Sequence, residues 1–394
     1  MKIFSDDVSI IEKELDYLAE EMYRRHNFTE KRCILYSIEA IALIYEPLGY
    51  DVNKYLQAAY KDKNFIAALN KENRMIKNKF INNFINNKED CLTLFDNILD
   101  DNLDYDFNYD INHHAPNLDE NEMYEILNDF FKSVSKEEIP NIFKNLIKSK
   151  KILSVSLPDL PYKGMTFFDL MLKKENSTIY INKARESESI KNMITLSHEM
   201  GHIVDFSYIN NRKTKVYYPM KSPFTEVLSS LYEKEFIDFL VENNIYKSHS
   251  ESCLGEFYED MFIDMDDSII YRGIPDELLR NDKYKKIEKE KLIEEISKKY
   301  DVLVSTDEFP EPVELDIYED LSYGYGKVLG TYFSRLKKED KRKYQDEMSK
   351  FLNLRTGYFD KNYLEKIGTN TNKVVELVDR DINLSSAKVK VKRI

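Results

Sequence analysis

The chain has 394 residues and a formal charge of −13, with 42% hydrophobic and 33% charged residues. These are the proportions of a soluble globular protein of two or three domain-sized units. The acidic balance argues against nucleic acid as the main partner, and no apolar run reaches the roughly 18–20 residues of a membrane span.

With only 10 glycines and 10 prolines among many Leu, Ile, Lys and Glu residues, the composition predicts a mainly helical protein. Met1 to Asp16 is rich in acids and has no apolar core, so it does not read as a signal peptide. Cys33, Cys91 and Cys253 are few and far apart. Free thiols in a reducing compartment, the cytoplasm, are the simple reading.

Val8, Ile11, Leu15, Leu18 and Met22 recur at spacings of three and four, one apolar helix stripe. Thr29 is placed to cap a second helix that runs to Pro47. Further helices are predicted over residues 52–84, 118–131 and 136–147, the last with a Ser135–Glu138 capping box. Residues 100–117 read as an acidic loop. His113 and His114 lie there, an adjacent pair without metal-ligand spacing. Residues 152–157 and 177–182 carry β-branched or aromatic side chains and read as strands. Helices resume near Ser187. The chain thus divides into an N-terminal helical domain (1–150), a catalytic domain with one small sheet (151–385) and a basic, solvated tail (386–394).

The chemistry is carried by His198-Glu199-Met200-Gly201-His202, which fits H-E-x-x-H. Residues four apart share a helix face about 5–6 Å apart, so two imidazoles can reach one metal ion. Glu199 then points to the flank, where it can hold an activated water. A catalytic zinc takes three protein ligands and keeps one open position. Glu226 is the candidate third ligand. Ser222-Pro223 reads as a cap and first turn, which puts Glu226 in the first turns of a new helix. Asp205 shares the histidine face but stands about 10 Å of helix rise from His198, so a supporting role behind the ligands suits it better. Ser230, four residues after Glu226, is placed to orient a ligand histidine. Glu233, two turns along the same face, is either a buried structural partner or a further support.

These motifs resemble the thimet oligopeptidase and oligoendopeptidase F family of zinc peptidases. Thr195 to His202 is similar to its T-L-x-H-E-x-G-H. Glu226-Val227-Leu228-Ser229-Ser230 followed by Glu233 is similar to its downstream E-V-A-S-T-x-x-E. Lys163-Gly164 and the strand at 177–182 resemble its K-x-G-A and the edge strand beside bound peptide, and Tyr323-Gly324-Tyr325 resembles the tyrosine segment that closes over the scissile carbonyl. The likeness runs over roughly residues 160–335. The chain departs from the family in its shorter N-terminal region and in having no histidine at 313–320, where Tyr318 is the nearest polar aromatic. H-E-M-G-H with a glutamate 24 residues on also resembles the angiotensin-converting enzyme relatives, which share the helical, cleft-bearing architecture.

The resemblance implies a helical metallopeptidase with a deep substrate cleft, one small sheet and one zinc ion on His198, His202 and Glu226. It implies peptide substrates lying along Tyr180, Ile181 and Asn182, and a hydroxyl of Tyr323 or Tyr325 on the oxyanion. Glu199 would be the general base of an endopeptidase. A zinc carboxypeptidase or a dedicated processing protease is the alternative within the same chemistry. A helical interaction protein with structural zinc is the alternative outside it. Neither nucleic acid nor membrane is an expected partner, and the sequence carries no signal for oligomeric state.

Overall fold

The computed structural model describes residues 2–7, 9–102, 105–106, 116–135, 137–167, 177–185, 188–210, 222–300, 312, 315–355, 359, 361–389 and 392–393. The chain forms two compact units, each built from several stretches. One comprises Met1–Glu72, Asn112–Tyr217 and Glu235–Ser250; the other comprises Asn73–Ile111, Tyr218–Lys234 and Glu251–Ile394. This differs from a single boundary near residue 150, because the chain passes from one unit to the other five times.

The first unit opens with α1 (Ser9–Arg24), α2 (Phe28–Tyr45) and α3 (Asn53–Tyr60), and takes in the start of α4 (Lys63–Asn86). Ile11, Leu15, Leu18 and Met22 are buried as the stripe predicts, and they pack with α2, α3 and the sheet in one core. The cap of α2 is Asn27 rather than Thr29. Its carboxamide oxygen accepts from the N–H groups of Thr29 and Glu30 at 2.8 and 3.4 Å. The single helix expected over 52–84 is two, because Asp62 caps a new start by accepting from the Phe65 N–H at 3.0 Å. The other elements of this unit are α6 (Glu120–Val134), α7 (Glu138–Lys148), three strands and α8 (Ser189–Asn210). The expected capping box of α7 does not form: Ser135 ends α6, and Glu137 precedes α7 without a side-chain bond.

The sheet consists of β2 (Ile152–Val155), β3 (Gly164–Phe167) and β4 (Thr178–Asn182), in the order β2-β4-β3. β4 is parallel to β2 and antiparallel to β3. Residue 5 covers the outer side of β2 through bonds to Ile152 and Ser154. No described strand covers the outer side of β3.

The second unit contains the rest of α4, α5 (Lys88–Asn102), the start of α9 (Val227–Glu242), most of α10 (Lys247–Gly273), α11 (Asp276–Leu279), α12 (Lys289–Tyr300), α13 (Ile317–Glu339), α14 (Lys341–Leu354), α15 (Tyr363–Ile367) and α16 (Thr371–Val389). α13 is its axis: 15 of its 23 residues are buried, and it packs on α14 and α16. The basic C-terminal stretch is not wholly tail. α16 runs to Val389, and Lys392–Arg393 (β5) pairs antiparallel with Tyr105–Asp106 (β1). Among the described residues no helix is long and apolar enough to cross a membrane. The three cysteines are free and buried.

A buried ion pair ties α9 to α16. Lys234 Nζ stands 2.9 Å from Asp381 Oδ2, with side chains 0% and 5% exposed, and the Tyr258 hydroxyl donates to the same oxygen at 2.6 Å. Arg335 Nη1 stands 3.9 Å from the other oxygen of Asp381, so removing Lys234 leaves the carboxylate with a weaker ionic partner and the Tyr258 hydroxyl, at a cost of about 1.5–3 kcal/mol. Lys234→Ala should therefore lower unfolding stability by about that amount in chemical denaturation, and a change below about 1 kcal/mol would contradict a desolvated pair.

Candidate metal centre

α8 crosses the sheet. Ile190, Met193, Leu196, Met200 and Ile203 are buried, while His198 and His202 are half-buried on another face. The helical repeat sets the two imidazoles one turn apart, with ring centroids at 5.1 Å and planes at 76°. Glu199 is 5% exposed. Its carboxylate is held from β3: the Thr166 hydroxyl lies 2.6 Å from Glu199 Oε2 and 3.1 Å from the Glu199 carbonyl oxygen. Gly164 makes room beside it. A Cβ there would stand 2.7 Å from Glu199 Oε1 and 2.6 Å from Thr195 Cγ2.

Glu226 does not lie inside a helix, as the Ser222-Pro223 pair suggests, but at the cap of α9. Residues 223–226 form a turn, and the Glu226 carbonyl accepts from the Ser230 N–H at 2.9 Å. A carboxylate there is stabilised by the positive end of the helix dipole. The Ser229 hydroxyl lies 2.9 Å from both the Glu226 carbonyl oxygen and Oε2. Its backbone is pressed by α13: a Cβ at Gly326 would come within 2.6 Å of Glu226 Cβ and 3.0 Å of its carbonyl carbon and oxygen.

Three side chains converge. His198, His202 and Glu226 each bring one ligand atom within 4.8 Å of the others, all three residues half-buried. Two donors on one tetrahedral zinc, about 2.0–2.1 Å from it, stand roughly 3.3 Å apart. Two imidazoles and a carboxylate are a donor set that catalytic zinc uses, so the residues present fit the ion.

The remaining candidates divide. Ser230 does not orient a histidine. It is fully buried and its Oγ makes no hydrogen bond, because its face of α9 is pressed against Gly330 of α13. Ser229, one residue earlier, does the holding instead. Tyr325 is not an oxyanion donor. It is 0% exposed, donates to the Cys91 carbonyl at 2.7 Å and packs against Phe95, Phe224 and Phe359. Burial raises its phenol far above the ordinary range. Tyr323, two residues back and so on another face of α13, is half-buried. Glu233 is half-buried and contributes to the field on Lys327, whose ammonium bonds Asp264 at 2.9 Å. Burial would depress that ammonium, but Asp264, Asp260 and Glu233 together hold it above its usual value. Asp205 is buried. Tyr180, Ile181 and Asn182 do not offer an open edge. β4 is the central strand with all five residues buried, and the Asn182 carboxamide is spent on the loop at Leu157. His113 and His114 lie outside the described residues.

Two site residues carry no motif. Thr166 belongs to a short strand without alternation, and its role shows only when β3 is laid against α8. Tyr318 brings its hydroxyl 3.1 Å from Thr225 Oγ1, next to Glu226 in sequence. Burial and then the Glu226 charge, against the Thr225 hydrogen bond, keep that phenol protonated.

No family model matches the sequence, and no curated protein is detectably similar to it. Solved structures do match. A chain assigned as an oligoendopeptidase F aligns with a TM-score of 0.52 over 98% of this chain and 77% of its own, at 9% identity. A chain assigned as a peptidase from Chlamydophila abortus aligns at 0.49 over 98% and 65%, with 14% identity. An oligoendopeptidase F assignment from Bacillus anthracis aligns at 0.47 over 70% of this chain, with 14% identity, and the match spans 47% of that chain, about half its length. The class defined by this architecture is the helical peptidase fold with a small three-stranded sheet, helical as the composition predicts and peptidase-like as the resemblance implies. Within it, the fold is like that of the oligoendopeptidase F structure.

Two outcomes follow from these contacts. Gly326→Ala pushes directly on the Glu226 backbone, so if Glu226 holds zinc, affinity should fall about 10- to 100-fold in a chelator competition; unchanged affinity would count against Glu226 as a ligand. Tyr325→Phe removes a buried hydrogen bond whose acceptor, the Cys91 carbonyl inside α5, keeps its helical partner, so it should lower stability by about 0.5–1.5 kcal/mol and leave turnover of any substrate within about twofold. A large loss of kcat with intact stability would return Tyr325 to the site.

Proposed function

We propose that this chain is a zinc-dependent endopeptidase acting on extended peptides, with Glu199 as general base. The observation that carries this reading is the convergence of His198, His202 and Glu226 within 4.8 Å, with Glu199 next to His198 on the same helix. The peptidase fold supports it. So does the care with which Glu199 is held, which a purely structural metal site would not need.

Zinc on such ligands polarises a carbonyl and lowers the pKa of water toward about 7. The work of the chain is to present it and to move protons. Neutral His198 and His202 donate ring nitrogens; Glu226, bonded through Oε2 to Ser229, donates the carboxylate. Glu199 takes a proton from the attacking water and returns it to the departing amine. We assign the donor to the developing oxyanion to Tyr323 or Tyr318, the latter because its hydroxyl lies 3.1 Å from Thr225 Oγ1, next to Glu226 in sequence.

The strand beside the substrate is β3 rather than β4. The Asn182 N–H donates to the Lys163 carbonyl at 2.8 Å, and with the register this directs residues 163, 165 and 167 toward β4. The N–H and C=O groups of Gly164 and Thr166 then face outward. An extended peptide adding to that edge would lie next to Glu199.

Glu199→Gln should keep zinc and lose about 10²–10⁴-fold in kcat on a quenched peptide library. Removing zinc with a chelator should abolish cleavage and adding it back should restore it. Internal cuts are the expected products; single losses from the C-terminus would make the enzyme a carboxypeptidase, and full activity of Glu199→Gln would refute the assignment of the base.

A further inference from the structure

A glutamate one residue after a ligand histidine has three rotatable bonds, and the helix alone does not choose among their rotamers. In this chain a hydroxyl from outside the helix bears on that choice. Thr166 Oγ1 is 2.6 Å from Glu199 Oε2 and 3.1 Å from the carbonyl oxygen of the same residue. An oxygen within reach of both atoms restricts the side chain to conformations folded back toward its own backbone. The shorter contact is a charge-assisted O–H···O⁻ bond, formed where Glu199 is 5% exposed and water is scarce. The hydroxyl itself is aimed by a stiff frame. Threonine is branched at Cβ and holds χ1 in a strand, and Thr166 is fixed opposite Ile179 by the pairing of β3 with β4. Gly164 lies on the same face of β3 and fills the other side: the space its missing Cβ would take is closed by Oε1 at 2.7 Å. Both carboxylate oxygens are thus bounded by one edge strand.

We propose that Thr166 is the positioning residue for the Glu199 carboxylate, fixing the rotamer from which the base acts. This inference rests on the reading of Glu199 as base for its kinetic consequence, but not for the bond itself. The Thr166 hydroxyl bonds Glu199 and none of His198, His202 or Glu226, so the loss of that hydroxyl acts through Glu199. The hydroxyl, not the methyl, carries the effect.

Two measurements test it together. In steady-state kinetics with zinc bound, Thr166→Val should lower kcat about 10- to 100-fold with KM within about twofold, and zinc affinity should be unchanged. Thr166→Ser, which restores the hydroxyl, should return kcat to within about threefold of wild type. In the metal-free protein, a double-mutant cycle by chemical unfolding reads the bond without any activity. Thr166→Val should lower the unfolding equilibrium ratio about tenfold in the wild-type background and less than about twofold when Glu199→Ala is already present. If Thr166→Val does not fold, Thr166→Ala takes its place in both arms. A wild-type protein that cleaves nothing would defeat the proposed function and leave the cycle to decide the bond. A wild-type protein that cleaves peptides while Thr166→Val keeps full kcat would overturn the positioning role alone. Equal stability losses in both backgrounds would overturn the bond itself.

Discussion

Everything at the site depends on the rigidity of one helix turn. Four residues of α8 set His198 and His202 on a common face, and the residue between them that faces the flank is Glu199. A turn of helix is a fixed ruler, so the two imidazoles and the Glu199 carboxylate share one frame. The sheet then bears on that ruler through β3, at Gly164 and Thr166.

The two functional carboxylates are held by the same device. Thr166 reaches both the carbonyl and the carboxylate of Glu199, and Ser229 does so at Glu226. In each case a short hydroxyl folds a flexible glutamate back on its own backbone, and a glycine on the neighbouring element lets it approach. A carboxylate used in chemistry must be partly desolvated, and a desolvated carboxylate needs a donor. A hydroxyl is a sound choice, because it satisfies one oxygen without adding a competing charge.

The candidate histidines were legible because they form a contiguous pattern with a physical spacing, and Glu226 because a helix-start signal precedes it, although that signal put it inside the helix and not at its cap. What could not be read depends on partners distant in sequence. Strand order is such a property: the five buried residues of β4 suit a central strand or a covered edge equally, until β3 is seen to pair with them. Thr166 matters only through α8, 33 residues on. Tyr323 and Tyr325 look alike as letters, yet two steps along α13 turn one into the core beside Phe224. By contrast α1 was readable, since Ile11, Leu15, Leu18 and Met22 repeat at helical spacing. The cap at Asn27 shows the usual limit of terminal signals. Asn and Thr two apart are both good caps, and only the bond to the Thr29 N–H decides.

The account stands or falls on a single ion between two imidazoles and one carboxylate. Anomalous diffraction at the zinc absorption edge, from crystals of the protein grown with zinc, addresses it directly. The predicted map has one peak about 2.0–2.2 Å from a ring nitrogen of His198, a ring nitrogen of His202 and a carboxylate oxygen of Glu226. A map with no peak there, or with zinc held by other residues, would contradict it.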